Sequence, residues 1–560
     1  MKNFSDTFTQ GGQTQLHKFR MINQVFGTTL KISSIIAFLC FIFLLIYDGS
    51  WEKFGFLVTF YKAQIRDSMS SLPKEFFDTS WILHGDGKYY EISDHIIAHK
   101  QEYILSSILI HSLLFRKLFQ TFLCFFGSMI LLFLFWGYSG KVLKIKEIIS
   151  GGKIAPINKL TNLIKKSNQA SDLTLAGLPL IKNRETEHML IIGTTGCGKT
   201  NAMNELLQQI RDRGDKIVIV DTTNGFVERF YNEQRDIILN PLDSHSKSWN
   251  LWEECTEEYL FDEFSESLIP QIGHDPFWSN SARTVLTVAA KKLKVEGDYS
   301  LRRLMDITVS LPLKEVYPYF EGSMAASMMH PDSEKTALSI RSTIASSIKC
   351  FEYLTEAEEN FSIRQWILNP DHSGILFLSC SPEQRSSLRP LLSGWLSLAT
   401  KATLSRPEGT KQKLWFFIDE LSSLNKLPSL PNSMAEVRKY EGCFVLGLQN
   451  LSQIDELYGT NMSRSICGLT GTKLVFRSPD AYTAKRMSEF LGEQEIVEHS
   501  ESISFGAHQM RDGVSLAEQR HNKTVIPYTD ILNLPNLQAY IKLPCDLPVA
   551  KLKFEYHEFK

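Results

Sequence analysis

Hydrophobic and polar positions change pattern three times along the chain of 560 residues. Two early stretches, Ile32 to Tyr47 (ISSIIAFLCFIFLLIY) and Phe119 to Tyr138 (FQTFLCFFGSMILLFLFWGY), are apolar without a charged residue. Runs of that length predict membrane-spanning helices, the first slightly short and extended by tilt or flanking aromatics. A polar, glutamine-rich segment (1–31) precedes the first run and no small-residue cleavage site follows it, which argues against a signal peptide. Lys18, Arg20 and Lys31 stand before the first span, and Lys141, Lys144 and Lys146 follow the second. The positive-inside rule then puts both ends in the cytoplasm and the loop 48–118 outside, in the periplasm of a bacterium; Arg116 and Lys117 oppose that orientation.

After a linker (139–185), short near-continuous apolar runs take over: MLII (Met189 to Ile192), IVIV (Ile217 to Val220), IIL (Ile237 to Leu239), ILFL (Ile375 to Leu378), WFFI (Trp415 to Ile418), FVLGL (Phe444 to Leu448) and KLVF (Lys473 to Phe476). Runs without alternation suit buried strands of a parallel sheet covered by helices on both faces. Between about Cys255 and Leu354 this pattern gives way to helical spacing, in Val285, Leu286, Val288, Ala289 and Leu293 and again in Ile340, Ile344 and Ile348. The expected architecture is an α/β nucleotide-binding domain in two parts (186–254 and 356–560), interrupted by an all-α insertion (255–355).

One motif supplies candidate chemistry. Residues 193–200 read GTTGCGKT, the pattern G-x-x-x-x-G-K-[ST], between the strand MLII and the helical NAMNELLQQIRDR. Backbone N–H groups of Gly193, Thr194, Thr195, Gly196, Cys197 and Gly198 would wrap phosphates. Lys199 would place a point charge on the β- and γ-phosphates, and the Thr200 hydroxyl would ligate Mg2+. Cys197 occupies a variable position of the pattern and needs no redox role. A partner acidic site is expected at the end of another buried strand. KLWFFIDE provides it, with Asp419 for the metal and Glu420 to polarise the attacking water. Gln449, directly after FVLGL, is placed to sense the γ-phosphate or orient water, and Asp221 after IVIV is a further strand-end carboxylate of structural or nucleotide-edge role.

Composition narrows the picture. With 43% hydrophobic and 22% charged residues the chain is globular, and a formal net charge of -2 leaves no global attraction for nucleic acid, so any such contact is local. No stretch alternates basic and aromatic residues densely enough for a single-strand-binding stripe. The nine cysteines are scattered singly, without metal-ligand spacing, as in a reducing compartment. His95 and His99 stand four apart in DHIIAHK, half of a metal site; no carboxylate or third histidine completes it, so the pair reads as helix surface.

The specific segments LNPLDSHSKSWNLWEE (Leu239 to Glu254), DPFWSNSAR (Asp275 to Arg283), EVRKYEGCFVLGLQNLSQ (Glu436 to Gln453) and VIPYTDILNLPNLQAYIKLPCDLPVAKL, together with FFIDEL and the phosphate loop, resemble the TraD-type coupling proteins of type IV conjugative transfer systems. These belong to the RecA-like, FtsK-related hexameric ATPases, and the resemblance covers nearly the whole chain. It implies ATP and Mg2+ as ligands and a homohexameric ring on the bacterial inner membrane with its ATPase domain in the cytoplasm. It also implies recruitment of a relaxase–single-stranded DNA complex and its delivery to type IV secretion channel proteins. Carried over by position, Lys199 and Thr200 bind nucleotide, Asp419 and Glu420 act at metal and water, and Gln449 senses. An arginine donated by a neighbouring subunit is expected; Arg438 in EVRKYEG leads, with Arg341 and Arg464 as alternatives. F-like relatives carry a long acidic C-terminal tail, whereas this sequence stops at Lys560, so cargo selection is expected to use the insertion or another protein. Protein effectors as cargo, or a nucleotide-controlled recruitment scaffold, are the alternative functions.

Overall fold

The computed structural model describes residues 4–47, 50–69, 80–85, 88–143, 147–271, 275–357, 359–504 and 513–556, in two units. The first, Met1–Lys146 with His499–Ala517, contains α1 (Phe4–Tyr47), α2 (Ser50–Ser68), the antiparallel pair β1 (Ser80–Gly85) and β2 (Lys88–Ser93), α3 (Asp94–His99) and α4 (Gln101–Leu143). Within α1 and α4, the segments Phe19–Tyr47 and Gln101–Ser139 are long and apolar enough to cross a membrane. The helices thus outrun the purely apolar runs on which the sequence reading placed the spans, because helix formation tolerates polar residues that a hydropathy window excludes. Helices α1 and α4 pack together, with Phe26 and Phe133 rings 6.2 Å apart, while Phe38, Leu39, Phe43, Leu131 and Leu134 are exposed. An outward apolar surface of this kind is what a hydrocarbon solvent permits.

The segment 48–118 contains structure of its own. Phe60 and Ala63 of α2 and Ile97 of α3 form a small core with Trp81, Ile92 and Tyr103. This core brings Asp67 against both imidazoles of α3, 3.1 Å from His95 Nδ1 and 2.8 Å from His99 Nε2. The sequence reading found no carboxylate to complete the histidine pair. That reading is corrected: Asp67 lies far away in sequence but across the helix interface.

The second unit, Glu147–Glu498 with Glu518–Lys560, is built on a nine-stranded sheet. In chain order its elements are β3 (Glu147–Gly151), α5 (Ile157–Lys166), the hairpin β4 (Ala170–Leu175) and β5 (Leu178–Ile181), β6 (Met189–Ile192), α6 (Lys199–Arg213), β7 (Lys216–Asp221), α7 (Gly225–Phe230) and β8 (Ile237–Leu239). A helical region follows: α8 (Leu251–Glu254), α9 (Glu258–Leu268), α10 (Phe277–Glu296), α11 (Leu301–Met305), α12 (Leu313–Phe320), α13 (Glu334–Ile348) and α14 (Ile363–Leu368). Then come β9 (Gly374–Ser379), α15 (Arg385–Thr403), β10 (Leu414–Ile418), β11 (Gly442–Leu448), β12 (Thr472–Val475), β13 (Glu493–Ser504) and β14 (Gly513–Thr524), of which 499–504 and 513–517 belong to the first unit, and finally β15 (Gln538–Lys542) and β16 (Ala550–Lys553).

The sheet order is β16-β15-β12-β6-β11-β10-β7-β9-β8. Strands β12 to β8 in that order run parallel, and β15 and β16 add antiparallel at the β12 edge. Alternate side chains of a strand face opposite sides, and here both sides are buried. Phe416 and Ile418 of β10 enter the core shared with the helical insertion, while Trp415 and Phe417 enter the core shared with α5 and the β4–β5 hairpin. This double burial is why the strands read as unbroken apolar runs.

Residues 147–181 correct the expected linker (139–185): they hold a strand, a helix and a hairpin. Leu160, Ile164, Leu173, Leu175, Leu178 and Leu180 are buried there: α5 buries Leu160 and Ile164 at helical spacing, and β4 buries alternate positions, signals that span few residues. The helical region also reaches further than the expected 255–355, from Leu251 to Leu368.

Its two ends are clamped at α14. Glu254 accepts from Trp249 Nε1 (3.2 Å), Arg364 N (2.9 Å) and Ile363 N, satisfying the first amides of α14. At the other end Lys216 Nζ donates to the carbonyls of Trp366 (2.9 Å), Ile367 (3.1 Å) and Asn369. A carboxylate at the N-terminus and an ammonium at the C-terminus both complement the helix dipole. Burial pushes the Glu254 carboxyl up to about 7, against the downward pull of its N–H donors, and burial brings Lys216 down to about 8. Glu254→Ala strips three buried donors of their acceptor, a cost of roughly 2–4 kcal/mol. Hydrogen exchange in the peptide containing Ile363 and Arg364 is expected to accelerate on the order of 100-fold in that variant; unchanged protection would show that the clamp holds nothing.

Candidate functional site

Parallel strands deliver their carboxyl ends to one edge, where crevices form in open α/β sheets. Here β6 runs into the phosphate loop, β11 ends at Gln449, and β10 ends at Asp419 and Glu420, with β11 between the other two. The loop is fixed from three sides. Gly193 N donates to Leu448 O (3.1 Å), Thr194 N to Arg477 O (2.8 Å), and Leu537 N to Cys197 O (2.8 Å). Gly198 sits at φ +117°, outside the range of ordinary side chains, and opens α6 so that the first amides of the helix face the crevice. Gly447 has a packing role: a Cβ there would lie 1.9 Å from the Asp419 carbonyl oxygen and force β10 and β11 apart.

A cavity of about 590 Å³ results. Thr194, Thr195, Gly196, Gly198, Lys199, Thr200, Asp419 and Gln449 all line it, so these residues of the sequence-predicted site converge. The Lys199 ammonium donates to the Gly193 carbonyl at 2.5 Å and to the Thr194 carbonyl at 3.4 Å. The Thr195 hydroxyl donates to Gln449 Oε1 at 3.1 Å, coupling the phosphate loop to the end of β11. Cys197 is buried beneath the loop, and burial raises its thiol, as suits a packing residue.

Burial also raises the Asp419 carboxyl, helped by the nearby Asp221 carboxylate and opposed by Lys199 and Arg385. Two carboxylates in a buried setting favour a cation, and the hard oxygens of Thr200 and Asp419 suit Mg2+. Glu420, next in the chain after Asp419, is not among the residues that line the cavity. One carboxylate oxygen accepts from the Ser422 hydroxyl at 2.5 Å; the other, Oε2, is buried without a hydrogen-bond partner among the described residues. Burial raises its carboxyl, against Ser422 and Lys199. One oxygen of this carboxylate is held, and the other is buried and makes no hydrogen bond among the described residues.

Other candidates fall elsewhere. Asp221 spends both oxygens on its own turn, accepting from Thr223 N, Thr223 Oγ1, Phe226 N (2.7 Å) and Val227 N, so it caps α7. Arg438 pairs with Glu187 at 3.5 Å, beside the amino ends of β6 and β11 and thus away from its own chain's crevice. Arg341 is buried in the helical insertion, donating to the carbonyls of Thr308 (3.2 Å), Leu311 (2.6 Å) and Val309, and Arg464 is exposed.

Sequence reasoning missed several lining residues: Asn201 on α6, Thr223 and Arg229 after β7, and Asn536 and Tyr556 from the C-terminal segment. It also missed Arg385, which starts α15, donates to Thr222 O at 2.8 Å and acts on Asp419. For Thr223, Arg229 and Arg385 the signal was present, because each closely follows a strand whose carboxyl end faces the crevice. Asn536 and Tyr556 had none: they reach the site because β15 and β16 join the sheet edge.

Comparison with known proteins agrees with this geometry. The family of the type IV secretion-system coupling protein DNA-binding domain matches residues 172–555. The coupling protein TraD of Escherichia coli (strain K12) is 32% identical over 564 aligned residues, covering 98% of this chain and 77% of TraD. Among solved structures, the bacterial conjugative coupling protein TrwBΔN70 aligns with a TM-score of 0.66 at 31% identity, over 74% of this chain and 96% of its own. TrwB in complex with ADP and Mg2+ aligns at 0.65 and 31%, over 74% and 95%.

Proposed function

The chain belongs to the type IV secretion-system coupling proteins, and from that premise we propose that it is an ATP-hydrolysing motor that moves relaxase-bound single-stranded DNA to the secretion channel. The carrying observation is the convergence of Lys199, Thr200, Asp419 and Gln449 on one cavity. TrwB, a solved relative, has been captured with ADP and Mg2+ and with a non-hydrolysable ATP analogue, which supports the same ligands here. Mg2+, when bound, neutralises charge between the phosphates. The chain's own part follows from its side chains. The loop amides and Lys199 hold the phosphates, Thr200 and Asp419 supply oxygen ligands, Gln449 reads the terminal phosphate through its bond with Thr195, and Glu420 takes the proton of the attacking water.

Helices α1 and α4 anchor the protein in the inner membrane in this reading, and the ATPase unit assembles as a homohexamer in the cytoplasm. With a net charge of -2 the chain has no general affinity for DNA, so the DNA path is assigned to the ring's central channel, where six copies of a local patch act together. A neighbour's arginine completes each site, and Arg438, pointing away from its own crevice, is the leading candidate. The test is ATP turnover by the full-length protein with and without single-stranded DNA. Turnover several-fold higher with DNA is expected. A flat response with intact basal turnover would move the assignment to protein cargo or to a recruitment scaffold.

A further inference from the structure

Outside the nucleotide site, one cluster in the first unit carries ligand chemistry. Asp67 of α2 and His95 and His99 of α3 each offer one donor atom, and these atoms all lie within 4.8 Å of one another. The histidines are four apart on one helix, so their rings share a face, with ring centroids 4.6 Å apart. Asp67 follows Ala63 by one helical turn and Phe60 by two, on the side of α2 that packs against α3. It is the half-buried member, its side chain 18% exposed, whereas the imidazoles are 74% and 62% exposed.

The frame around the cluster is fixed. The Phe60–Ala63–Ile97 core holds the two helices together, and Trp81 Nε1 donates to Asp94 Oδ1 at 2.6 Å, pinning the start of α3 to β1. The geometry points to a divalent transition-metal site, with Zn2+ as the best-fitting ion, that clips α2 to α3. Nitrogen from two imidazoles and oxygen from one carboxylate is a donor set that Zn2+ takes readily at about 2.0–2.2 Å, which places ligand atoms about 3.3 Å apart in a tetrahedron. Contacts of 2.8 and 3.1 Å between Asp67 and the rings are already near that spacing. Side-chain rotation alone brings the three donors onto one ion, and the exposed side of the rings leaves the fourth position to water or a donor from a partner.

The test uses full-length protein in detergent, freed of metal by chelator and without nucleotide, then equilibrated with Zn2+ and counted by elemental analysis beside His95→Ala/His99→Ala and Asp67→Asn. Wild type is expected to retain one more equivalent than the double variant, and Asp67→Asn to bind at least about 10-fold more weakly. Co2+ in place of Zn2+ should give visible bands of a nitrogen- and oxygen-ligated ion that the double variant lacks. Basal ATP turnover serves as the check that both variants fold. Equal stoichiometry and affinity in all three proteins, or sulfur-ligated Co2+ bands alone, would overturn the site and leave the cluster as an ion pair.

Discussion

Lys199→Ala is expected to abolish measurable ATP hydrolysis. The Nζ of Lys199 is the ammonium that reaches the turn of the phosphate loop, 2.5 Å from the Gly193 carbonyl, and the side chain is buried beneath the cavity it lines. In such a site a fixed positive charge acts at low effective dielectric, so it opposes phosphate charge far more strongly than a solvated lysine would. Removing one preorganised group of this kind costs about 3–4 kcal/mol of transition-state stabilisation, or roughly 100- to 1,000-fold in rate, and nucleotide affinity falls with it. The fold should survive. Alanine is a strong helix former at the start of α6, and Thr194, one of the two residues whose carbonyls are released, lines the cavity, where water can replace the lysine. Steady-state phosphate release from purified protein is the measurement. Turnover within about threefold of wild type would remove the phosphate loop from the mechanism, and with it the premise that this crevice is the motor's site.

Much of the sheet and of the nucleotide crevice is legible in the sequence, and the reason is double burial. Strands such as MLII and WFFI are covered on both faces, so they stand out as unbroken apolar runs and place Gly193, Asp419 and Gln449 at strand ends without any structure. What escaped had one of two physical causes. Short elements carry few patterned positions: α5 shows Leu160 and Ile164 and β4 shows Leu173 and Leu175, too few to make 147–181 stand out from a linker. Contacts between segments distant in the chain leave no local trace at all. Asp67 meets His95 and His99 only because α2 packs on α3, and Asn536 enters the nucleotide cavity only because β15 extends the sheet. Arg385 is intermediate: its position after β9 announced it, but its effect on Asp419 needed the fold.

Glu420→Gln is expected to bind ATP normally and fail to turn it over. The two side chains are nearly isosteric, and glutamine can still accept the Ser422 hydroxyl through its amide oxygen, so the end of β10 keeps its geometry. What is lost is the basic oxygen: Oε2, buried and without a partner among the described residues, becomes an amide that donates rather than accepts. General-base catalysis contributes roughly 100- to 10,000-fold, so kcat should fall in that range while nucleotide affinity moves by less than about threefold, in contrast to Lys199→Ala, which loses both. The pH profile separates a base from a merely structural carboxylate. Burial raises the Glu420 carboxyl above its ordinary value, and a base acts only when ionised. The acid limb of wild-type kcat should therefore lie above the usual carboxylate range, with the rate falling as pH drops through that raised value. In Glu420→Gln the residual rate should lose this limb. A variant that keeps the wild-type limb, even at reduced rate, would assign the proton acceptor to a group that lines the cavity, with Asp419 the first to examine because burial raises it as well.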